Sequence, residues 1–179
     1  MSQTRTSLII AASVAMLSLP VAASAAGNVA HADLKPTAGS TTAGKIVFTQ
    51  EGEIVRVTGS VSGLTPGSKH GFHVHAKGDC SAADASSAGG HFHLDGQKHG
   101  APGAEGVHVG DMGNIEANDK GVAEVDLILP VTQMTLAKGA AHNIIGRGLI
   151  VHKGTDDLKT QPTGDAGGRA ACAVITAGK

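Results

Sequence analysis

The stretch from Gly71 to Asp111 constrains this chain more than any other. It opens GFHVHAKGDC, runs through SSAGGHFHLDGQKHG and closes GVHVGD, and it holds six of the chain's ten histidines. His73 and His75 stand two apart, with Phe72 and Val74 beside them. On an extended strand, residues i and i+2 share a face. Both imidazoles therefore reach one side while Phe72 and Val74 face the other. His91, His99 and His108 follow at wide intervals, and Asp111 comes three residues after the last of them. No helix gathers such a set. A strand that presents two side chains, under a long glycine-rich loop that folds the others back over it, does.

The residue types point to metal binding. Imidazole suits zinc, copper, iron and nickel, and an oxygen ligand leans a site toward zinc. The candidates are too many for one tetrahedral ion. Two adjacent sites accommodate them, with His152 arriving later on another apolar strand.

The rest of the chain reads as β. Val55, Val57 and Val61 alternate with Arg56, Thr58 and Ser60, and Ala123, Val125, Leu127 and Leu129 alternate with Glu124 and Asp126. Period-two alternation argues for half-buried strands. Strands are expected near 29–35, 43–51, 53–62, 70–76, 110–117, 121–129, 143–152 and 170–176. Glu51-Gly52, Thr65-Pro66-Gly67 and Asp119-Lys120-Gly121 are turn signals between them. Short strands with tight turns predict an all-β sandwich or barrel. Two stretches carry few apolar residues and read as loops, Lys77 to Val109 and Lys153 to Gly168. Loops this long tend to be functional, and metal coordination can supply the order that apolar burial does not.

The first 25 residues read as a secretory leader. Arg5 supplies a positive start, Leu8 to Val21 is apolar apart from two serines, and Ala23-Ser24-Ala25 is a small-residue cleavage site. The apolar run is too short and alanine-rich for a good membrane span. The expected mature chain, from about Ala26, forms one domain and is not bound to a membrane. Without Arg5 it carries 13 basic against 15 acidic residues, a formal charge of −2. There is no basic run and no Trp or Tyr to stack bases, so nucleic acid is excluded as a partner.

The segments GFHVH, GGHF, KHG, HVGDMGN, IIGRGLIVH, TDDL and GDAGGRAAC, in this order, resemble copper/zinc superoxide dismutase. The resemblance covers nearly all of the chain after about residue 28. It implies an eight-stranded Greek-key barrel that dismutes superoxide. It implies a copper site of His73, His75, His91 and His152, and a zinc site of His91, His99, His108 and Asp111, with the His91 imidazolate shared. Asp156 matches a residue that hydrogen-bonds one histidine of each set, His73 and His99. Arg169 matches an arginine beside the copper channel, and Thr163, less distinctively, a residue that narrows it. Cys80 and Cys172 match the family's disulfide, as an oxidising compartment also favours. Closing a loop of 92 residues is worth about 4–5 kcal/mol in the chain-entropy model.

Two positions depart from the family. His93-Leu94 stands where Asn-Pro is common, and Asp165 where Asn is frequent. His93 and Asp157 are expected to be solvated. His31, His70 and His142 are read as structural, with His70 hydrogen-bonding backbone inside the barrel. The resemblance leaves open a homodimer, and a metal reservoir or a copper-free structural sandwich as alternatives to an enzyme.

Overall fold

The structure is a computed structural model that describes residues 28–178. The expected leader, residues 1–25, lies outside the described residues. Among the described residues nine strands run in order: β1 (Val29–Pro36), β2 (Ala43–Glu51), β3 (Ile54–Ser62), β4 (Lys69–His75), β5 (Asp111–Glu116), β6 (Ala123–Pro130), β7 (Gly148–His152), β8 (Arg169–Val174) and β9 (Thr176–Ala177). The only helical turn among the described residues is a 3-10 turn at Ser86–Ala88.

Eight strands form one antiparallel path, β5-β4-β7-β8-β1-β2-β3-β6, and β9 adds a short pairing to β1. β1 joins the two halves. Val29 to Leu34 pair with β2, and Lys35 and Pro36 pair with β8. The path curls until its ends, β5 and β6, lie against each other without a hydrogen-bonded ladder. This is the expected eight-stranded barrel, nearly closed.

The alternation read from β3 and β6 is the inside–outside pattern. Val55, Val57 and Val61 are fully buried, and Ala123, Val125 and Leu129 nearly so. They enclose Phe48 and Phe72, each with no exposed surface. Burying one such side chain stabilises by roughly 1.5–3 kcal/mol. β4 and β7 differ, because both of their faces are covered. Phe72, Val74, Leu149 and Val151 point into the main core. His73, His75, Ile150 and His152 occupy the alternate positions and are also buried, under the two long loops. The metal-binding candidates thus sit on the outside of the barrel wall.

The strand expected over 143–152 begins only at Gly148. Asn143 Oδ1 takes the Ile145 N–H, and Gly146 turns the chain at φ +84°. Such a side-chain-to-backbone bond competes with a ladder. Ile144 is buried by this turn, so its apolarity signalled core and not strand. The strand expected over 170–176 breaks at Ile175, whose N–H bonds the Arg147 carbonyl.

Candidate metal centre

β4 and β7 pair with His73 opposite Ile150 and His75 opposite Gly148. A register shift between Gly71 and His73 lets His73 face Asp111 on β5. A bulge of this kind re-aims side chains. The 77–110 loop then returns along the edge of β4. Phe92 N–H bonds the Val74 carbonyl, Gly110 N–H bonds that of Phe92, and Val74 N–H bonds that of Gly110. Phe92 and Val109 are buried in the main core, so the residues next to His91 and His108 anchor the loop. Further out, Lys98 and Val107 form a small bridge that sets His99 beside His108.

These elements build two adjoining pockets. In the first, His73, His75, His91 and His152 converge, all buried, with one ring nitrogen from each within 4.8 Å of the others. In the second, a ring nitrogen each from His91, His99 and His108 and a carboxylate oxygen of Asp111 lie as close together, all four residues buried. His91 belongs to both, and its ring lies 4.0 Å from that of His73.

The hydrogen bonds around the rings assign their tautomers. His75 donates its Nδ1–H to the Gly89 carbonyl at 2.8 Å, and His152 donates its own to Gly167 at 3.1 Å. Their Nε2 lone pairs are therefore left facing each other at 3.3 Å. His73 donates its Nε2–H to Asp156 at 2.8 Å, which leaves its Nδ1 buried and unpartnered. His91 Nε2 is likewise buried without a partner. Four imidazoles thus turn lone pairs into one small volume.

The second pocket is similar. Asp156 also takes the Nε2–H of His99, at 2.9 Å, so a neutral His99 points its Nδ1 lone pair at Asp111 Oδ1, 3.0 Å away. His91 Nδ1 lies 2.9 Å and His108 Nδ1 3.4 Å from the same oxygen, the latter too poorly aligned for a hydrogen bond. One carboxylate oxygen cannot accept from three rings. Unpaired lone pairs converging in a buried site fit a cation among them. The donor set, four imidazoles in one pocket and three with a carboxylate in the other, fits copper and zinc respectively.

Electrostatics point the same way. Burial lowers His91 to about 4, against the opposing pull of Asp111. Burial and the neighbouring His73 lower His152 to about 3. Burial, then His91, holds His75 well below its ordinary value. The rings are kept neutral, as ligands must be. Burial pushes Asp111 up, but the imidazoles of His108 and His91 and the Gly100 N–H outweigh it, so the carboxyl stays well below its usual range. Asp156 is also depressed. Burial raises it, and hydrogen bonds from His73, the Leu158 N–H and His99 together outweigh that.

Asp156 is buried and joins the two pockets through His73 and His99. Asn114 clamps its backbone, donating to the Asp156 carbonyl at 2.9 Å and accepting its N–H at 2.8 Å. Gly164 packs against the Asp156 carboxylate and His99 at φ +68°, where a Cβ would collide with both. Arg169 donates to the backbone carbonyls of Ala85 and Gly89. Gly89 thus serves His75 and Arg169 together. The 79–89 segment is tied to β8 by the Cys80–Cys172 disulfide.

Of the remaining expectations, His70 bonds the His152 carbonyl at 2.9 Å and is buried. His93 is exposed and bonds the His91 carbonyl. Asp157 is exposed but not idle, since it accepts the N–H groups of Lys159 and Thr160. Arg169 forms no ion pair with Asp165, and the carboxylate that acts on it is Asp84. Thr163 is half-buried. Asn114, Gln133 and Gln161 escaped the sequence reading. Neutral amides carry no chemical signature of their own, and only the position of Asn114 inside HVGDMGN hinted at a role.

A nearly closed antiparallel barrel with a paired, histidine-lined metal centre on its outer wall defines a metalloprotein of the β-barrel class. A family model for copper/zinc superoxide dismutase matches residues 42–175. Superoxide dismutase [Cu-Zn] 2 of Aquifex aeolicus is 39% identical over 150 residues, spanning 82% of this chain and 85% of that protein. Extracellular superoxide dismutase [Cu-Zn] of Caenorhabditis elegans is 41% identical over 138 residues, spanning 74% of this chain and 60% of that protein. The crystal structure of the clock protein EA4 superposes with a TM-score of 0.75 at 37% identity, covering 86% of this chain and 96% of that one. The chain belongs to the copper/zinc superoxide dismutase family, oxidoreductases whose cofactors are copper and zinc.

Proposed function

We propose that this chain dismutes superoxide to oxygen and hydrogen peroxide. His73, His75, His91 and His152 would hold copper, and His91, His99, His108 and Asp111 would hold zinc. The observation that carries the reading is the first pocket's set of inward lone pairs, of which His73 Nδ1 and His91 Nε2 have no protein partner. When bound, copper supplies one-electron exchange between Cu(II) and Cu(I), and zinc supplies charge without redox chemistry.

In the net reaction one superoxide loses an electron to become oxygen. A second gains that electron and two protons to become peroxide. His91 faces both pockets, Nδ1 toward the second and Nε2 toward the first. Its Nε2 is the atom assigned to carry a proton, since it is the one His91 nitrogen with no protein partner. Asp156 holds the rings of His73 and His99 in their tautomers, as carboxylates beside ligating histidines do. Arg169 spends two donors on the Ala85 and Gly89 carbonyls and keeps the rest of its fork for a small anion. Thr163 is assigned to narrow the approach.

The test is stopped-flow decay of superoxide with protein of measured copper and zinc content. A second-order rate near the diffusional ceiling is expected. If copper fills the pocket and superoxide decays no faster than with protein-free buffer, the chain is a metal reservoir.

We also propose that residues 1–25 are removed on export and that residues 26–179 act in the periplasm or outside the cell. Arg5, the apolar run and Ala23-Ser24-Ala25 support this, as does the disulfide. Intact mass of exported protein should give a chain starting at Ala26 with one disulfide. A full-length chain with two free thiols refutes both claims.

A further inference from the structure

We propose that Gln133 and Gln161 are positioning residues for the second pocket. They hold the loop that carries His99 and His108, up to its junction with β5 at Asp111, in its binding shape before any metal arrives. Each comes from a different loop, and each uses both ends of its amide on the backbone of this one loop.

Gln133 follows β6 and is buried at 7% exposure. Its Oε1 accepts the Gly103 N–H at 2.7 Å. Its amide NH2 donates to the Asp111 carbonyl at 2.7 Å and lies 3.4 Å from those of His108 and Val109. Three carbonyls of one tight turn therefore face a single donor group. That turn, closed by the Asp111 N–H on the His108 carbonyl at 3.3 Å, puts His108 and Asp111 on the same side. Gln161 lies in the 153–168 loop. Its Oε1 accepts the His99 N–H and its NH2 donates to the His99 carbonyl, both at 2.9 Å. It pairs with His99 as a neighbouring strand would. The partners are backbone groups of known polarity, so the orientation of each amide is determined.

Ordering a glutamine side chain is entropically unfavourable, and a loop of this composition has little apolar surface with which to order itself. Two clamps on the residues that hold the ligands lower the ordering that binding must otherwise supply. Partners outside the ligand set typically change metal affinity 10–100-fold when removed.

The metal half of this proposal rests on the zinc-site reading above, and the experiment separates the two. Zinc affinity is measured by chelator competition on copper-free protein for wild type, Gln133→Leu, Gln161→Ala, Gln161→Glu and His108→Ala. Amide hydrogen exchange is followed in the metal-free proteins. Gln161→Ala changes an exposed residue and serves if Gln133→Leu does not fold. About tenfold weaker zinc binding is expected for Gln133→Leu and Gln161→Ala. Gln161→Glu keeps the acceptor for the His99 N–H and should lose less. The Gly103 and His99 amides should exchange at least tenfold faster in their respective variants. Zinc affinity within twofold of wild type, with melting temperature alone lowered, overturns the proposal and leaves a structural role. If His108→Ala binds zinc as wild type does, the ligand reading fails. Exchange at His99 and Gly103 then decides the clamps alone, and unchanged rates overturn them.

Discussion

At the scale of residues, the two pockets differ in what they lose by a single substitution. His152 serves only the first pocket and Asp111 only the second. His152→Ala should abolish dismutation and leave zinc bound. Asp111→Ala should weaken zinc and loosen the loop. Metal analysis of both variants checks this, and equal loss of both metals in both would contradict two separable sites. The buried rings also set a pH dependence for the metal-free protein. Unfolded histidines take up protons near 6.5, whereas folded His91 does so near 4 and His152 near 3. Stability from the neutral rings is complete above about pH 6.5. It is lost progressively as pH falls toward 4 and then 3, on the order of 3 kcal/mol for His91 alone. Thermal melts of metal-free protein should therefore fall steeply between pH 6.5 and 4. A melting temperature that does not change over that window would show that the rings are not buried as described.

At the scale of elements, the disulfide, the 79–89 segment and β8 form one unit. The segment's carbonyls hold Arg169 at the start of β8, and Cys172 on β8 holds the segment. Cys80→Ser should therefore lower the dismutation rate toward that of Arg169→Gln. It should also lower stability by up to about 4–5 kcal/mol. If Cys80→Ser keeps the full rate with Cys172 reduced, the segment orders itself without the bridge. The legibility of the chain follows the same elements. β3 and β6 were readable because one face is wet. β4 and β7 have two dry faces, so alternation vanishes, and His73 and His75 marked β4 instead. The 143–147 turn read as strand because Ile144 is apolar for a different reason. Ligand types stood out by spacing. The clamps of Asn114, Gln133 and Gln161 did not, because their partners are backbone groups in other segments, 42, 22 and 62 residues away. Asp165 stands only four residues before Arg169 in the chain, yet the carboxylate whose charge acts on Arg169 is Asp84, from a segment more than eighty residues away.

At the scale of the whole molecule, the proposed mature chain, with formal charge −2, must draw in an anion through local charge. On the reading proposed above Arg169 supplies it, and Asp84, whose charge acts on Arg169, opposes it. A unit charge about 8 Å away in water is worth roughly 0.5 kcal/mol before screening, or about twofold in rate. Asp84→Asn should speed superoxide capture by about that factor at low salt, with the gain fading as salt rises. Asp165→Asn, which keeps a residue type tolerant of φ +52°, should gain less. Stopped-flow rates across ionic strength test the order, and a larger gain from Asp165 would reverse it. The open seam between β5 and β6 has a consequence in time. Opening of a barrel starts where no ladder resists it. β5 carries Asp111, whereas β4 and β7, which carry His73, His75 and His152, lie farther along the ladder. The second pocket is therefore expected to open with the seam more readily than the first, restrained there by Gln133, which bonds the Asp111 carbonyl from beyond β6. Zinc should exchange with solution on the timescale of β5 amide exchange, while copper should stay until the barrel itself unfolds.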